Sequence, residues 1–405
     1  MRFAGVAGMP GTGDELLWRC FRRKLNCRSK VLSHGIGSWL ISNPVDSQVF
    51  PVLLMSKKTQ FFCLFLLWAV LPGAFSELAA QRVDDPKEAE PDKLVDARTR
   101  KAIERGLKFL VRKQIKTGNL KGAMGQGGYA GGVATCGLSG LAFMCNGSAP
   151  GEGKYGDEID RCVEFMIKST NETGYVSTNA GSENMYGHGF ATLFMAQAYG
   201  MSPKKELGEK LRKSIKLIVD IQNAQGGWRY RPVKSDADLS ITICQIMALR
   251  AARDAGINVP DETRKKCIEY VKKSQAADGG FRYTMGGGHT SFPLTAAGVV
   301  SLYSAGIYEG EAIDKALKYI ERYRPGSGSV ANSSYFFYAH YYACQAMWHA
   351  GGDRWKNWYP AIRNHLLNQQ QGDGSWSGPH SNEFATAMAC IILQIPYNYL
   401  PVFSP

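Results

Sequence analysis

Two aspartates, Asp236 and Asp238, stand in the stretch SDADLSIT (235–242), just ahead of an apolar run that reads as a helix to about Gly256. A carboxylate there has two uses that can coexist. It can cap the helix by accepting from an early backbone N–H, or it can act as an acid–base group. Three further stretches precede comparable apolar runs: MYGHGF (185–190), GGGHTSF (286–292) and YFFYAHYY (335–342). Aligning Thr192, Thr242, Thr295, Tyr342 and Thr386 puts His188 and Tyr338 in the register of Asp238. The same alignment puts His289 in the register of Asp236 and His340 two residues beyond Tyr338. Glu383 in SNEFAT joins them, with Tyr186, Tyr341 and Tyr342 nearby in sequence. Histidine beside carboxylates can orient an acid or bind a metal. Aromatic faces stabilise cations, although they also fill space between helices. Two carboxylates such as Asp238 and Glu383 would suit glycoside hydrolysis.

What must position these residues is a repeat. Amphipathic patterns with three-and-four spacing recur at 100–114, 159–169, 211–222, 264–275, 313–323 and 359–370. Each is followed by a Gly-containing turn, a loop and a second, more apolar helix. Taking Asn119, Tyr175, Trp228, Phe281, Val330 and Trp376 as equivalent points gives offsets of 56, 53, 53, 49 and 46. Such a period marks an array of units, none able to bury its apolar face alone. Six pairs suit a closed ring, with amphipathic helices outside, apolar helices inside, and all inner N-termini around one mouth. No stretch alternates strongly enough to predict a strand.

IQNAQGGWRY (221–230), SQAADGGFRY (274–283) and QQQGDGSWSG (369–378) sit at the ends of outer helices. Glycine there takes turn conformations that a Cβ forbids. The glutamine amide can satisfy orphan backbone groups at the helix end, and the aromatic fills the seam between hairpins. Gln222-x-x-x-Gly226-x-Trp228, Gln275-x-x-x-Gly279-x-Phe281 and Gln370-x-x-x-Gly374-x-Trp376 resemble the QW repeats of squalene and hopene cyclases. The Gly-Gly-aromatic form is also similar to repeats of protein prenyltransferase β subunits. Both families are α/α toroids, so the resemblance, over about residues 100–396, implies an all-α fold, an α6/α6 toroid.

The cyclases carry Asp-x-Asp-Asp-Thr, whose middle aspartate protonates a polyene. By that resemblance Asp238 is the proton donor, Asp236 its upstream neighbour and His188 a residue that orients the acid. Leu239 stands where the last aspartate would be. Hopene cyclases are about twice this length, whereas a single toroid is present here. Prenyltransferase β subunits hold zinc with an aspartate, a cysteine two residues later and a histidine. Asp236 matches the first and Asp238 replaces the second; His289 or His340 would supply the imidazole. A site so lacking its thiolate is a poor zinc site, and no cofactor is the primary expectation.

The 405 residues carry a net charge of +13, with nine basic and three acidic residues in the first 76. Elsewhere basic residues alternate with acids on helix faces, as in KKELGEKLRKSIK (204–216), which argues against a nucleic-acid partner. The Gly-rich loops at 122–132 and 283–291 lack a preceding strand and GK[ST], so they are not phosphate loops. Residues 55–76 read as a signal peptide: Lys57 and Lys58, an apolar run from Phe61 to Leu71, then Ala74-Phe75-Ser76 as the cleavage triplet. Met55 is the expected initiator, leaving 1–54 as a spurious or unstructured extension, with 77–98 as a flexible linker and 99–405 as the toroid. The expectation is an exported, periplasmic or extracellular protein, with the membrane surface open to it. Seven cysteines follow residue 76 without a CxxC pair, and read as buried free thiols. The expected function is terpene-cyclase-like chemistry on an isoprenoid. The alternatives are a non-catalytic toroid binding an apolar ligand or protein partner, and a zinc-dependent prenyltransferase-like site.

Overall fold

The computed structural model describes residues 91–178, 184–327 and 335–404. The expected extension (1–54), leader (55–76) and most of the linker (77–98) lie outside the described residues. The outer helices are α1 (Ala97–Lys113), α3 (Gly156–Ser169), α5 (Lys205–Asp220), α7 (Asp261–Lys273), α9 (Glu311–Glu321) and α11 (Gly352–Gln369). The inner helices are α2 (Val133–Met144), α4 (Met185–Met201), α6 (Leu239–Asp254), α8 (Phe292–Ser304), α10 (Phe336–Ala350) and α12 (Asn382–Gln394). Each inner helix packs on the next, and α12 packs back on α2, so the ring closes.

The two layers follow from composition. In α1, Ala102, Ile103, Leu107 and Leu110 are buried while Lys101, Glu104 and Lys108 are exposed, a one-sided stripe. In α2 every residue from Val133 to Met144 is buried, as a helix surrounded on all sides requires. One element departs from the all-helical expectation. In the fourth repeat, β1 (Phe281–Thr284) and β2 (Gly287–Ser291) form an antiparallel hairpin with an irregularity between Arg282 and Thr284. A short pair bent at Gly286–Gly288 carries too few alternating residues to be read from sequence.

The repeated motif joins neighbours around the ring. Gln222 Nε2 donates to Gly226 O in its own turn (2.9 Å) and to Thr263 O in α7 (2.9 Å). Gln275 reaches Gly279 O (3.1 Å) and Ala312 O in α9 (2.7 Å) in the same way. Gln370 reaches Gly374 O (2.9 Å) and, closing the ring, Ala102 O of α1 (2.8 Å). The amide therefore clips the following outer helix; it does not cap its own. Gln114 makes the equivalent bond to Glu158 O in α3 at 2.8 Å. The glycines are needed twice over. Gly374 has φ +91°, and a Cβ there would lie 2.6 Å from Arg105 O of α1. The indole N–H groups of Trp228 and Trp376 donate to Ile218 O and Leu366 O of their own outer helices, both at 2.8 Å. Their backbone N–H groups donate to Thr242 Oγ1 and Thr386 Oγ1 on the inner helices (3.2 and 3.0 Å). The aromatic thus pins each outer helix to its inner partner.

The C-terminal tail covers the end of the ring away from Asp238. Leu400, Val402 and Phe403 are buried, Arg250 in the last turns of α6 donates to Ser404 O (3.0 Å), and Phe403 lies 6.0 Å from Tyr341. A helical turn at Pro91–Leu94 contacts Ile395–Tyr397, and Val95 beside it is fully buried.

Candidate functional site

Asp238 caps α6. Its Oδ1 accepts from Ser240 Oγ (2.6 Å) and Ile241 N (2.9 Å), so the capping expectation holds. The residue is fully buried, and Oδ2 has no hydrogen-bond partner. Arg229 Nε is 3.6 Å from that oxygen. Burial pushes the Asp238 carboxyl above the ordinary aspartate range. The bonds from Ser240 and Ile241, the Arg229 charge and the Tyr283 hydroxyl oppose this without overcoming it.

Tyrosines from four repeats surround this carboxyl. Tyr338 donates to Ser240 O at 3.2 Å, and its ring meets Tyr342 edge-on at 4.9 Å. Tyr186 packs edge-on against Tyr230 (6.0 Å) and Tyr338 (6.2 Å). Tyr230 and Tyr283 join their hydroxyls at 2.8 Å, bridging the loops before α6 and α8. The Arg229 guanidinium lies 5.7 Å from the centres of both rings and pairs with exposed Asp236. Burial raises the phenols of Tyr186, Tyr283 and Tyr338, so they stay neutral. Cys244, 3.5 Å from the Tyr342 hydroxyl, has its thiol pushed up to about 12 by burial. The site is one buried carboxyl with a raised pKa, its Oδ2 without a hydrogen bond and 3.6 Å from Arg229 Nε, beside a collar of tyrosine rings.

The other expected residues divide. Tyr338 reaches Ser240 O beside Asp238, Tyr186 and Tyr342 pack against Tyr338, and Tyr341 lies against Phe190 and Phe403. Asp236 tethers Arg229. His188 does not come to the acid. At 100° per residue it points about 200° away from Tyr186. There its Nδ1 accepts from Val176 N at 3.1 Å and its ring lies by Tyr175. His340 is turned away from Tyr338 in the same manner and packs among Phe292, Phe336 and Trp358. Burial lowers both imidazoles to about 3, so they are uncharged packing groups. His289 is exposed on β2. Glu383 lies 3.6 Å from Lys113 Nζ, on α12, the inner helix opposite α6. Among the described residues no three His, Cys, Asp or Glu side chains gather as metal ligands. Of the residues named for zinc, Asp236 pairs with Arg229, Asp238 caps α6 and His289 is exposed.

Sequence reasoning missed Arg229, Tyr230, Tyr283, Ser240 and Cys244. A signal existed in the tails of the repeated motif, Trp228-Arg229-Tyr230 and Phe281-Arg282-Tyr283. Once the aromatic is anchored inward, the next two residues must emerge at the mouth.

Residues 165–381 match the prenyltransferase α-α toroid domain. The chain belongs to that family. No curated protein matches the sequence. Among solved structures, an arginine-to-alanine variant of the type II terpene cyclase MstE from Scytonema, in complex with its substrate geranylgeranyl dihydroxybenzoate, is similar at 16% identity and TM-score 0.54. The match covers 75% of this chain and 98% of that one. Cellobiose 2-epimerase from Bacillus thermoamylovorans matches at 10% identity and TM-score 0.54 (73% and 98% covered). The GH76 α-mannanase from Bacteroides thetaiotaomicron matches at 11% and 0.52 (76% and 98%). Cyclase, epimerase and glycosidase share the toroid, so these likenesses establish the fold and leave the chemistry to the site.

Proposed function

We propose that this toroid is an acid catalyst of isoprenoid rearrangement, with Asp238 as proton donor. The observation that carries the reading is a buried carboxyl, its pKa raised by burial, whose Oδ2 makes no hydrogen bond and lies beside the tyrosine rings. Oδ1 already accepts two hydrogen bonds, so a proton taken up by this carboxyl resides on Oδ2. Transfer to the less substituted (CH) carbon of a trisubstituted double bond leaves a tertiary carbocation on its neighbour and an aspartate. The cation is stabilised by the faces of the surrounding rings, an interaction worth about 2 kcal/mol when desolvated. The aspartate is held by Ser240, by the Ile241 N–H at the helix N-terminus and by Arg229. Attack by another double bond closes a ring, or loss of a neighbouring proton moves the double bond; either expels one proton and regenerates an isomer. His188 takes no part. Family membership and the terpene cyclase likeness support the reading.

A second reading, in which the mouth binds an apolar ligand without reaction, is favoured by one observation: aromatic rings from α4 and α10 meet across the ring axis. We also infer export, supported by the Lys57–Ser76 segment. Incubation with prenyl alcohols and polyenes in heavy water tests the chemistry. Deuterated isomers formed by the wild type and lost in Asp238→Asn are expected. Equal product from both proteins, or binding with no deuterium uptake, would overturn the acid.

A further inference from the structure

The tyrosine collar opens onto a filled ring. The inner helices α4 and α10 stand three places apart among six, so they face each other across the axis. Their side chains nevertheless meet. Tyr186 and Tyr338 form one rung with ring centres 6.2 Å apart, and Phe190 and Tyr341 form a second with centres 6.1 Å apart. The second rung is one helical turn deeper, about 5.4 Å. Phe190 is 2% exposed and Tyr341 0%. Beneath them Phe403 approaches Tyr341 at 6.0 Å, so the C-terminal tail backs the lower rung. Asp238 belongs to the level of the upper rung, because Tyr338 donates to the carbonyl of Ser240, which itself bonds the carboxyl.

A ligand approaching Asp238 from the mouth thus meets packed rings below it. Threading a long chain down the axis would separate two ring pairs packed at interior density, losing their contacts without replacement. Outside the collar the surface changes character: Tyr230 and Val233 are exposed beside the opening. We propose that Phe190 and Tyr341 are the floor of the ligand site, limiting the chains that reach Asp238 to one or two isoprene units. The limit rests on the acid reading of Asp238 but is separately measurable, because it concerns chain length and not proton transfer.

The experiment compares dimethylallyl alcohol, geraniol, geranylgeraniol and squalene, dispersed in one detergent. Binding is read by tryptophan fluorescence and reaction by deuterium uptake. The wild type is expected to prefer geraniol over geranylgeraniol and squalene by roughly tenfold or more. Phe190→Ala is expected to erase that preference by admitting the longer chains; Tyr341→Leu carries the same expectation if Phe190→Ala does not fold. Wild-type binding of squalene as tight as geraniol, or a folded floor variant with unchanged preference, would overturn the floor. Deuterium entering a long-chain product in the wild type but not in Asp238→Asn would overturn the floor and uphold the acid. Short-chain preference with no uptake from any alcohol would overturn the acid and leave the floor standing.

Discussion

Replacing Gly374 by alanine tests how the ring is closed. Two costs follow from the geometry. At φ +91° an alanine incurs the left-handed penalty, about 1–2 kcal/mol. Its Cβ would also lie 2.6 Å from Arg105 O and 2.9 Å from Arg105 C, backbone atoms of α1 that cannot rotate aside. Overpacking of that kind costs about 1–3 kcal/mol more, giving a total of about 2–5 kcal/mol. Gly256 is the matched control. It has φ +82°, and a Cβ added there would meet no atom within 4 Å, so Gly256→Ala incurs only the first cost. Urea unfolding followed by circular dichroism gives both values from the shift in midpoint at constant slope. Gly374→Ala is expected to lose at least about 1 kcal/mol more than Gly256→Ala. If the two substitutions cost the same, the close approach of the last turn to α1 is not what holds the ring shut.

The buried histidines make stability depend on pH. A histidine held near 3 in the folded state and near the ordinary value of about 6.5 when unfolded contributes stability that is present above 6.5. That stability is lost as pH falls through the interval toward 3, because the unfolded chain takes up the proton first. His340→Phe is therefore expected to flatten the fall in urea midpoint between pH 7 and 4, and an unchanged slope would show that His340 stays charged when folded. Arg229→Met removes a charge that lowers the Asp238 pKa, so the carboxyl should titrate at higher pH than in the wild type. Proton NMR or infrared titration reads this directly, and a downward shift would contradict the assigned contact.

The toroid was legible because its determinants are local and repeated. The stripes of α1, α5 and α7 and the three Gln–Gly–aromatic motifs each recur in register. The mouth was legible in part. Asp238, Tyr186, Tyr338 and Tyr342 emerged from alignment of the inner helices, but His188 and His340 were drawn in with them. Register along a helix is not direction around it: residues two apart point to opposite sides, and only packing decides which side faces the axis. Arg229, Tyr230 and Tyr283 were hidden for a different reason. They reach Asp238 through irregular loops and a bent hairpin, whose paths depend on contacts between repeats.

The acid role of Asp238 requires a carboxyl that holds its proton above the ordinary aspartate range. Difference infrared spectroscopy of the wild type against Asp238→Asn, with pH stepped upward from 3, isolates this one carboxyl. A protonated carbonyl stretch that persists above the ordinary aspartate pKa of about 3.9 and is absent from the variant is the predicted result. A band that disappears at or below that value would mean Asp238 is an ordinary ionised cap, and the catalytic account would fail.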